Sequence, residues 1–533
     1  MYRFAISMCV LSALVTALPG AEVVVFSANP DLAEVPASPL RSQLESLPDA
    51  PKAHALAHLA SIPVIDAQSL NVSASGKLWY TCVIPAHIPK SGVAVTAVNP
   101  QAAAVSTDNP PKKHSKPGSA QIIYLDFTGA TVTGTEWNTV YKVPSWKAKP
   151  FSSDADFTTF SDAEQAAIVT IWERVAEDYS SFDVDVTTEA PKTLGPKTAW
   201  TLITSEKDAN GIDLPNNGKG GVAFVGVFGD AEFQRYSPAW VTDYNSPDPQ
   251  YTAAMCDAAS HEVGHNLGLS HDGNATQGYE GGFQASATSP SWGPIMGAPF
   301  GQQLSQWCKG EYVNANNQED DLAIIAKNMP YRSNDNGGVS SPKGVSLQNK
   351  VFAATGIIGR TGEIDAFRIT LGEGPMTAVA KNYRSTGGID GGNLDIKLSL
   401  LTAKGAVVVT DNPTGAADAT ISTTVTAGTY IITVEPTGAG NPTSARNGFT
   451  TYGSLGQYSL TGTGVTSTGG NGNLGGNGDG TANNNSGGAG TETPGPTYDG
   501  ADNDSSSGGC GLGSGIGAMF AGLFLLRLRL RRS

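Results

Sequence analysis

The stretch that most limits how this chain can fold is His261-Glu262-Val263-Gly264-His265-Asn266-Leu267-Gly268-Leu269-Ser270-His271-Asp272. On an α-helix, residues four apart lie on one face, so His261 and His265 can offer ring nitrogens to one ion while Glu262 projects beside them. A third nitrogen has to arrive from another direction, so the helix must stop. Gly268 can adopt the left-handed conformation that turns the chain and brings His271 round. Three neutral imidazoles leave a fourth tetrahedral position for water, as a catalytic Zn2+ site requires and a structural site closed by four protein ligands does not. Glu262 is placed to take that water's proton and later deliver it to a leaving amine. Of seven histidines the other four, at 54, 58, 87 and 114, all precede residue 120. Every later histidine therefore belongs to this stretch.

A chain of 533 residues is too long for one ordinary core. Its 64 glycines and formal net charge of -15 describe an acidic, loop-rich protein and exclude a nucleic-acid partner. Residues 1–21 carry Arg3, an apolar run and then Gly20 and Ala21, the layout of a signal peptide. Residues 22–118 are rich in Ala, Pro and Val and read as a propeptide or a small N-terminal β domain. They end in Pro110-Pro111-Lys112-Lys113-His114-Ser115-Lys116-Pro117, read as an exposed, cleavable linker.

From 119 to 335 the pattern is strand, helix, strands, helix. Strands are expected at Gln121–Phe127, Phe182–Thr188, Thr198–Thr204, Gly221–Phe228 and Ala239–Tyr244. A capping box at Ser161-Asp162-Ala163-Glu164 opens a helix whose Ile168, Ile171, Trp172, Val175 and Tyr179 share one face. A second helix is expected over Thr252–Leu267. From 336 to 465 the pattern turns all-β: Leu394, Ile396, Leu398 and Leu400 alternate with polar residues, and Ala427–Val434 and Gly456–Leu460 read the same way. The fold class is therefore α+β, a mixed twisted sheet with an active-site helix followed by an all-β sandwich. Residues 466–509 are a Gly/Asn/Ser/Thr-rich linker. The last segment, 510–533, begins at Cys510 and holds the apolar run Leu512–Leu526 and four arginines, a sorting or membrane segment.

Some 25 residues after His271 comes Ser291-Trp-Gly-Pro-Ile-Met296-Gly297, a tight turn whose methionine can form an apolar floor under the ligands. The long histidine pattern followed by this turn resembles the metzincin zinc peptidases, and Asp272 after the third histidine resembles their adamalysin-type variant. That resemblance implies a zinc-dependent endopeptidase acting on protein or peptide substrates, with an edge strand at Gly221–Phe228 that pairs with substrate and a specificity pocket shaped by residues 273–300, including Tyr279, Phe283 and Trp292. Some metzincins carry a tyrosine two residues after the turn methionine; here Ala298 stands there. Asp365–Ile369, Asn393–Ile396, Ala427–Tyr430 and Gly456–Leu460 resemble the bacterial pre-peptidase C-terminal domain. The Gly-Gly-Cys, apolar run and arginines resemble GlyGly-CTERM and MYXO-CTERM sorting signals, which implies a sorting protease as partner, transient or permanent membrane anchoring, and a secreted or cell-surface location in a bacterium.

Three cysteines fall between the two terminal segments. Cys256 and Cys308 are a candidate disulfide of an exported domain. Cys82, in Leu78-Trp-Tyr-Thr-Cys82, is a candidate for the open zinc position, as in the matrixin cysteine switch, or an ordinary buried cysteine. Calcium is a further candidate ion for the loops. From a different class, the chain could be a surface adhesin or matrix-binding protein whose β domain binds the ligand, although such a scaffold has no use for Glu262.

Overall fold

The computed structural model describes residues 24–82 and 109–467. The signal-peptide reading, most of the linker and the Cys510 sorting segment lie outside the described residues. Among the described residues no helix is long and apolar enough to cross a membrane.

Residues 24–82 fold as a small mixed unit, which corrects the β-domain alternative. Ser38 caps helix α1 (Pro39–Ser46) by accepting from the Arg41 N–H, and Pro39 enters where its missing N–H costs nothing. Leu40 and Leu44, four apart, point inward. Helix α2 (Asp49–Ala57), strand β1 (Leu70–Val72) and strand β2 (Leu78–Cys82) follow. Phe26, Val35, Leu59 and Ile62 complete a core built almost wholly from this segment, with Val225 packed against it.

The next region contains β3 (Ile122–Asp126), β4 (Thr131–Thr133), α3 (Glu136–Tyr141), β5 (Ser145–Lys147), α4 (Asp162–Asp178), β6 (Asp185–Thr187), β7 (Thr198–Thr204), β8 (Gly221–Phe224) and β9 (Ala239–Thr242). After them come α5 (Pro249–Leu267), β10 (Trp292–Pro294), β11 (Leu304–Gln306) and α6 (Asp321–Asn328). The main sheet runs β1-β2-β8-β9-β7-β3-β6. The capping box forms at α4: Ser161 accepts from the Glu164 N–H and Glu164 reaches back to the Ser161 backbone. Ile168, Ile171, Trp172 and Val175 bury against Ile123, Leu125, Val186 and Val263, which lays α4 and α5 across one face of the sheet. An aromatic layer of Trp137, Trp146, Phe224 and Trp240 covers the other.

Two expectations change here. Strand β8 stops at Phe224, because the N–H groups of Gly226, Val227 and Phe228 turn away to the carbonyls of His265 and Asn266 at the end of α5. It is also not an edge: β2 pairs with it antiparallel, Cys82 opposite Gly221 and Trp79 opposite Phe224. The Pro/Lys cluster is no free linker either. Ser115 N–H donates to Val186 O at 3.0 Å, His114 lies 2.7 Å from Asp185, and Lys116 pairs with Asp183, tying residues 111–116 to β6.

The C-terminal region is all strand: β12 (Lys343–Gly344), β13 (Val351–Ile358), β14 (Asp365–Leu371), β15 (Gly374–Asn382), β16 (Ile396–Thr402), β17 (Val407–Asp411), β18 (Ala419–Val425), β19 (Gly428–Pro436) and β20 (Gly456–Thr463). They form sheets β12-β14-β19-β16-β17 and β13-β20-β15-β18. Buried residues of both, such as Leu398, Ile432, Ala378 and Leu460, join one core. This region docks on α4, where Glu177 accepts from Gln457 Nε2 at 2.9 Å and Glu173 from the Thr386 N–H at 2.7 Å.

The expected disulfide is absent. Cys256 and Cys308 are both free and buried. Cys256 points from α5 toward α4, with Sγ 3.9 Å from Thr170 O, whereas Cys308 packs with Trp292, Leu304 and Tyr312 in a separate cluster. Their side chains face different cores.

Asp395 gives a stability test. It is 2% exposed, its Oδ1 has no hydrogen-bond partner, and burial pushes its carboxyl from the usual 3.8 up to about 7. The folded state then holds this proton more tightly than the unfolded chain, so its contribution favours folding at low pH and is lost as pH rises from about 4 to about 7. Asp395→Asn is expected to flatten that part of the curve and to raise the melting temperature at pH 8 more than at pH 4. An equal shift at both pH values in thermal melts would contradict it.

Candidate metal centre

Helix α5 begins at Asp248, whose side chain accepts from the Gln250 N–H, with Pro249 at the first helical position. It ends on Gly268 at φ 107°, the left-handed residue the spacing requires, with its N–H donating to Gly264 O and His265 O. The turn delivers His271 beside the other two rings, with centroids 4.7 Å apart for His261 and His265, 5.2 Å for His261 and His271, and 4.9 Å for His265 and His271.

Two rings are oriented by carbonyls. His261 Nδ1 lies 2.9 Å from Ile295 O and His265 Nδ1 2.8 Å from Leu269 O, so each Nδ1 carries its proton outward and presents a bare Nε2 inward. His271 Nδ1 instead faces residues of the N-terminal segment, Ser69 Oγ at 3.5 Å and Asp66 Oδ2 at 3.9 Å. Burial holds all three imidazoles neutral: it pushes His261 down to about 4 and the other two well below the usual histidine range.

Cys82, at the end of β2, closes the set. Its Sγ is 3.5 Å from His261 Nε2, 3.4 Å from His265 Nε2 and 3.5 Å from His271 Nε2. The four ligand atoms all lie within 4.8 Å of one another. An ion with bonds of about 2.3 Å to sulfur and about 2.0–2.1 Å to nitrogen in tetrahedral geometry would hold sulfur and nitrogen about 3.5 Å apart. The donor set and its spacing both fit zinc.

Glu262 stands beside the Cys82 thiol, and burial pushes its carboxyl well up. Both of its oxygens are buried without a hydrogen-bond partner. Gly221 on β8 makes room, since a Cβ there would collide with Glu262 Oε1. Gly264 does the same on the other side: a Cβ would collide with Met296 Sδ, so the turn methionine packs directly under the helix. Gly221 was invisible as a site residue from sequence, because nothing local marks which glycine a distant carboxylate will approach.

Residues 174–272 match a reprolysin-like metallopeptidase family. The family is described as metallo-peptidase family M12B, reprolysin-like, and the match runs from Arg174 within α4 to Asp272, taking in all three histidines and Glu262. Residues 174–272 are thus similar to a metallopeptidase domain of a family that implies zinc. None of the curated proteins matches the chain. Among solved structures, the pre-peptidase C-terminal domain of a collagenase from Bacillus anthracis is similar at 9% identity and a TM-score of 0.16, covering 25% of this chain and 99% of its own. A periplasmic inhibitor of g-type lysozyme, PliG from Aeromonas hydrophila, has 14% identity and a TM-score of 0.14, covering 23% of this chain and 95% of its own.

A small cavity opens beside the metal centre, lined among others by Gly221, Asp257, Glu262, Tyr279, Ala298 and Phe300. Of the three aromatics expected to shape it, only Tyr279 does, its ring centroid 4.2 Å from that of His271 and tilted 41° to it. Phe283 and Trp292 stack on each other at 5.9 Å, and Trp292 packs on Tyr312 and Phe449 in the cluster that holds Cys308.

Proposed function

We propose that the chain is an exported zinc-dependent metalloendopeptidase of metzincin type, held latent by residues 24–82. The observation that carries this reading is Cys82 Sγ standing equidistant from three bare imidazole nitrogens, with Glu262 alongside.

When bound, zinc supplies Lewis acidity at the position the sulfur now takes. His261, His265 and His271 hold it. Glu262, hemmed in by Gly221 and unpaired, takes a proton from the attacking water and returns it to the leaving amine nitrogen, so the carboxylate ends as it began. The Tyr279 hydroxyl is buried with no partner of ordinary geometry beside the Cys82 thiol, a donor within reach of an oxygen gaining charge there. Strand β8, once β2 leaves, offers its backbone to an extended peptide.

Export through residues 1–21 and processing near Cys510 by a sorting protease would place the enzyme outside the cell or on its surface. The test is a peptide-library digest by the full chain, before and after limited proteolysis between residues 82 and 109, with and without a zinc chelator. Cleavage that appears after the nick and vanishes with chelator is expected. No cleavage under any condition would overturn the reading and favour a binding protein.

A further inference from the structure

The N-terminal segment does more than supply a thiol, and its strand shows what the cleft is shaped to receive. Along β2 side chains alternate between faces. Tyr80 and Cys82 turn to the metal centre, where the Tyr80 ring stacks 4.2 Å from His265 at 17°. Trp79 turns the other way and enters a slot of aromatic rings: Trp137 at 5.2 Å, edge-on at 79°, Tyr141 at 6.2 Å and Phe224 at 6.4 Å. Trp79 is 5% exposed there.

None of the slot walls comes from the segment that fills it. Trp137 and Tyr141 lie on α3, and Phe224 ends β8. The walls are fixed independently of Trp79. The α3 helix is pinned by a capping box in which Thr135 and Asn138 satisfy each other's backbone, the Trp137 Nε1–H donates to Pro238 O at 2.9 Å, and the Trp137 and Phe224 rings lie 4.3 Å apart. When β2 leaves, a preformed aromatic slot is left beside the strand that any incoming extended peptide would pair with.

We infer that this slot is a substrate subsite for an aromatic side chain, and that the enzyme selects extended peptides carrying one where Trp79 now lies. Backbone pairing along β8 binds any extended chain alike, so selection must come from the pockets that alternate side chains enter. The slot also ranks its guests. The Trp79 indole N–H is buried there without an acceptor, so tryptophan leaves a polar group unpaired and phenylalanine does not. Phenylalanine is the preferred occupant.

This inference rests on the peptidase reading, and its tests separate the two. The first uses the heptapeptide Gly76–Cys82 with Cys82 changed to Ser, bound to the nicked full-length protein with chelator present and followed by calorimetry. A version with Trp79→Ala is expected to bind at least about 10-fold more weakly, and one with Trp79→Phe no more weakly than the parent. Equal binding of the alanine and parent peptides would overturn the subsite whether or not the protein cleaves anything. The second is the library digest, in which aromatic residues, phenylalanine foremost, should be enriched at one fixed position on the N-terminal side of the cut. Tyr141→Ala, at the half-buried rim of the slot, is expected to lower that enrichment, and unchanged enrichment in this variant would overturn the subsite. Cleavage with no aromatic enrichment removes the subsite and leaves the peptidase standing.

Discussion

Full-length protein with Cys82→Ala is expected to cleave peptides without prior nicking, at a rate at least about tenfold above the unmodified chain. The sulfur lies within 3.5 Å of all three Nε2 atoms, so removing it opens the position that water needs. Activation should nevertheless be partial. The β2–β8 pairing, the stacking of Tyr80 on His265 and the seat of Trp79 all persist in the variant and keep the peptide path filled. Two measurements check this. Peptidase rate before and after nicking should show a raised start and the same end point as the parent. A thiol reagent should label Cys82 of the parent only after nicking, because the buried sulfur is shielded while the segment is docked. Identical latent rates for variant and parent would mean that the sulfur restrains nothing.

The parts of this arrangement that were readable in the sequence are those written with a short period. Helix α4 announced itself through its capping box and apolar spacing, α5 was expected over Thr252–Leu267 and begins earlier, at Pro249, and the Gly268 turn was legible through the need for a left-handed residue immediately after Leu267, where the helix must stop for His271 to come round. Strand β7 ran over the expected Thr198–Thr204 because its composition was strongly β-branched. Pairing between distant segments left no such mark. That β2 would cover β8 depends on a register between residues more than a hundred positions apart, and α3 is six residues long, too short for periodicity to reveal. The disulfide expectation failed for a related reason: shared membership of a region says nothing of which core each cysteine faces. The Pro/Lys cluster looked like a linker because its composition is that of one, while its backbone is held by β6.

Glu262→Gln is expected to lower peptidase turnover of the nicked enzyme by about 10²–10⁴-fold while leaving metal content unchanged. The substitution keeps the size of the side chain and touches none of the three imidazoles or the carbonyls of Ile295 and Leu269 that orient two of them. What it removes is the ability to take a proton and return it. Packing around Glu262 points the same way for stability. Both Glu262 oxygens are buried and unpaired against Gly221, an environment that disfavours charge, so a neutral amide of the same shape should fold at least as well. Zinc analysis, thermal melting and cleavage rates on one preparation separate the outcomes. Lost activity with a full complement of zinc and an unchanged melting temperature assigns proton transfer to Glu262. Lost zinc would instead make the carboxylate part of the metal's support, and retained activity would remove it from the chemistry altogether.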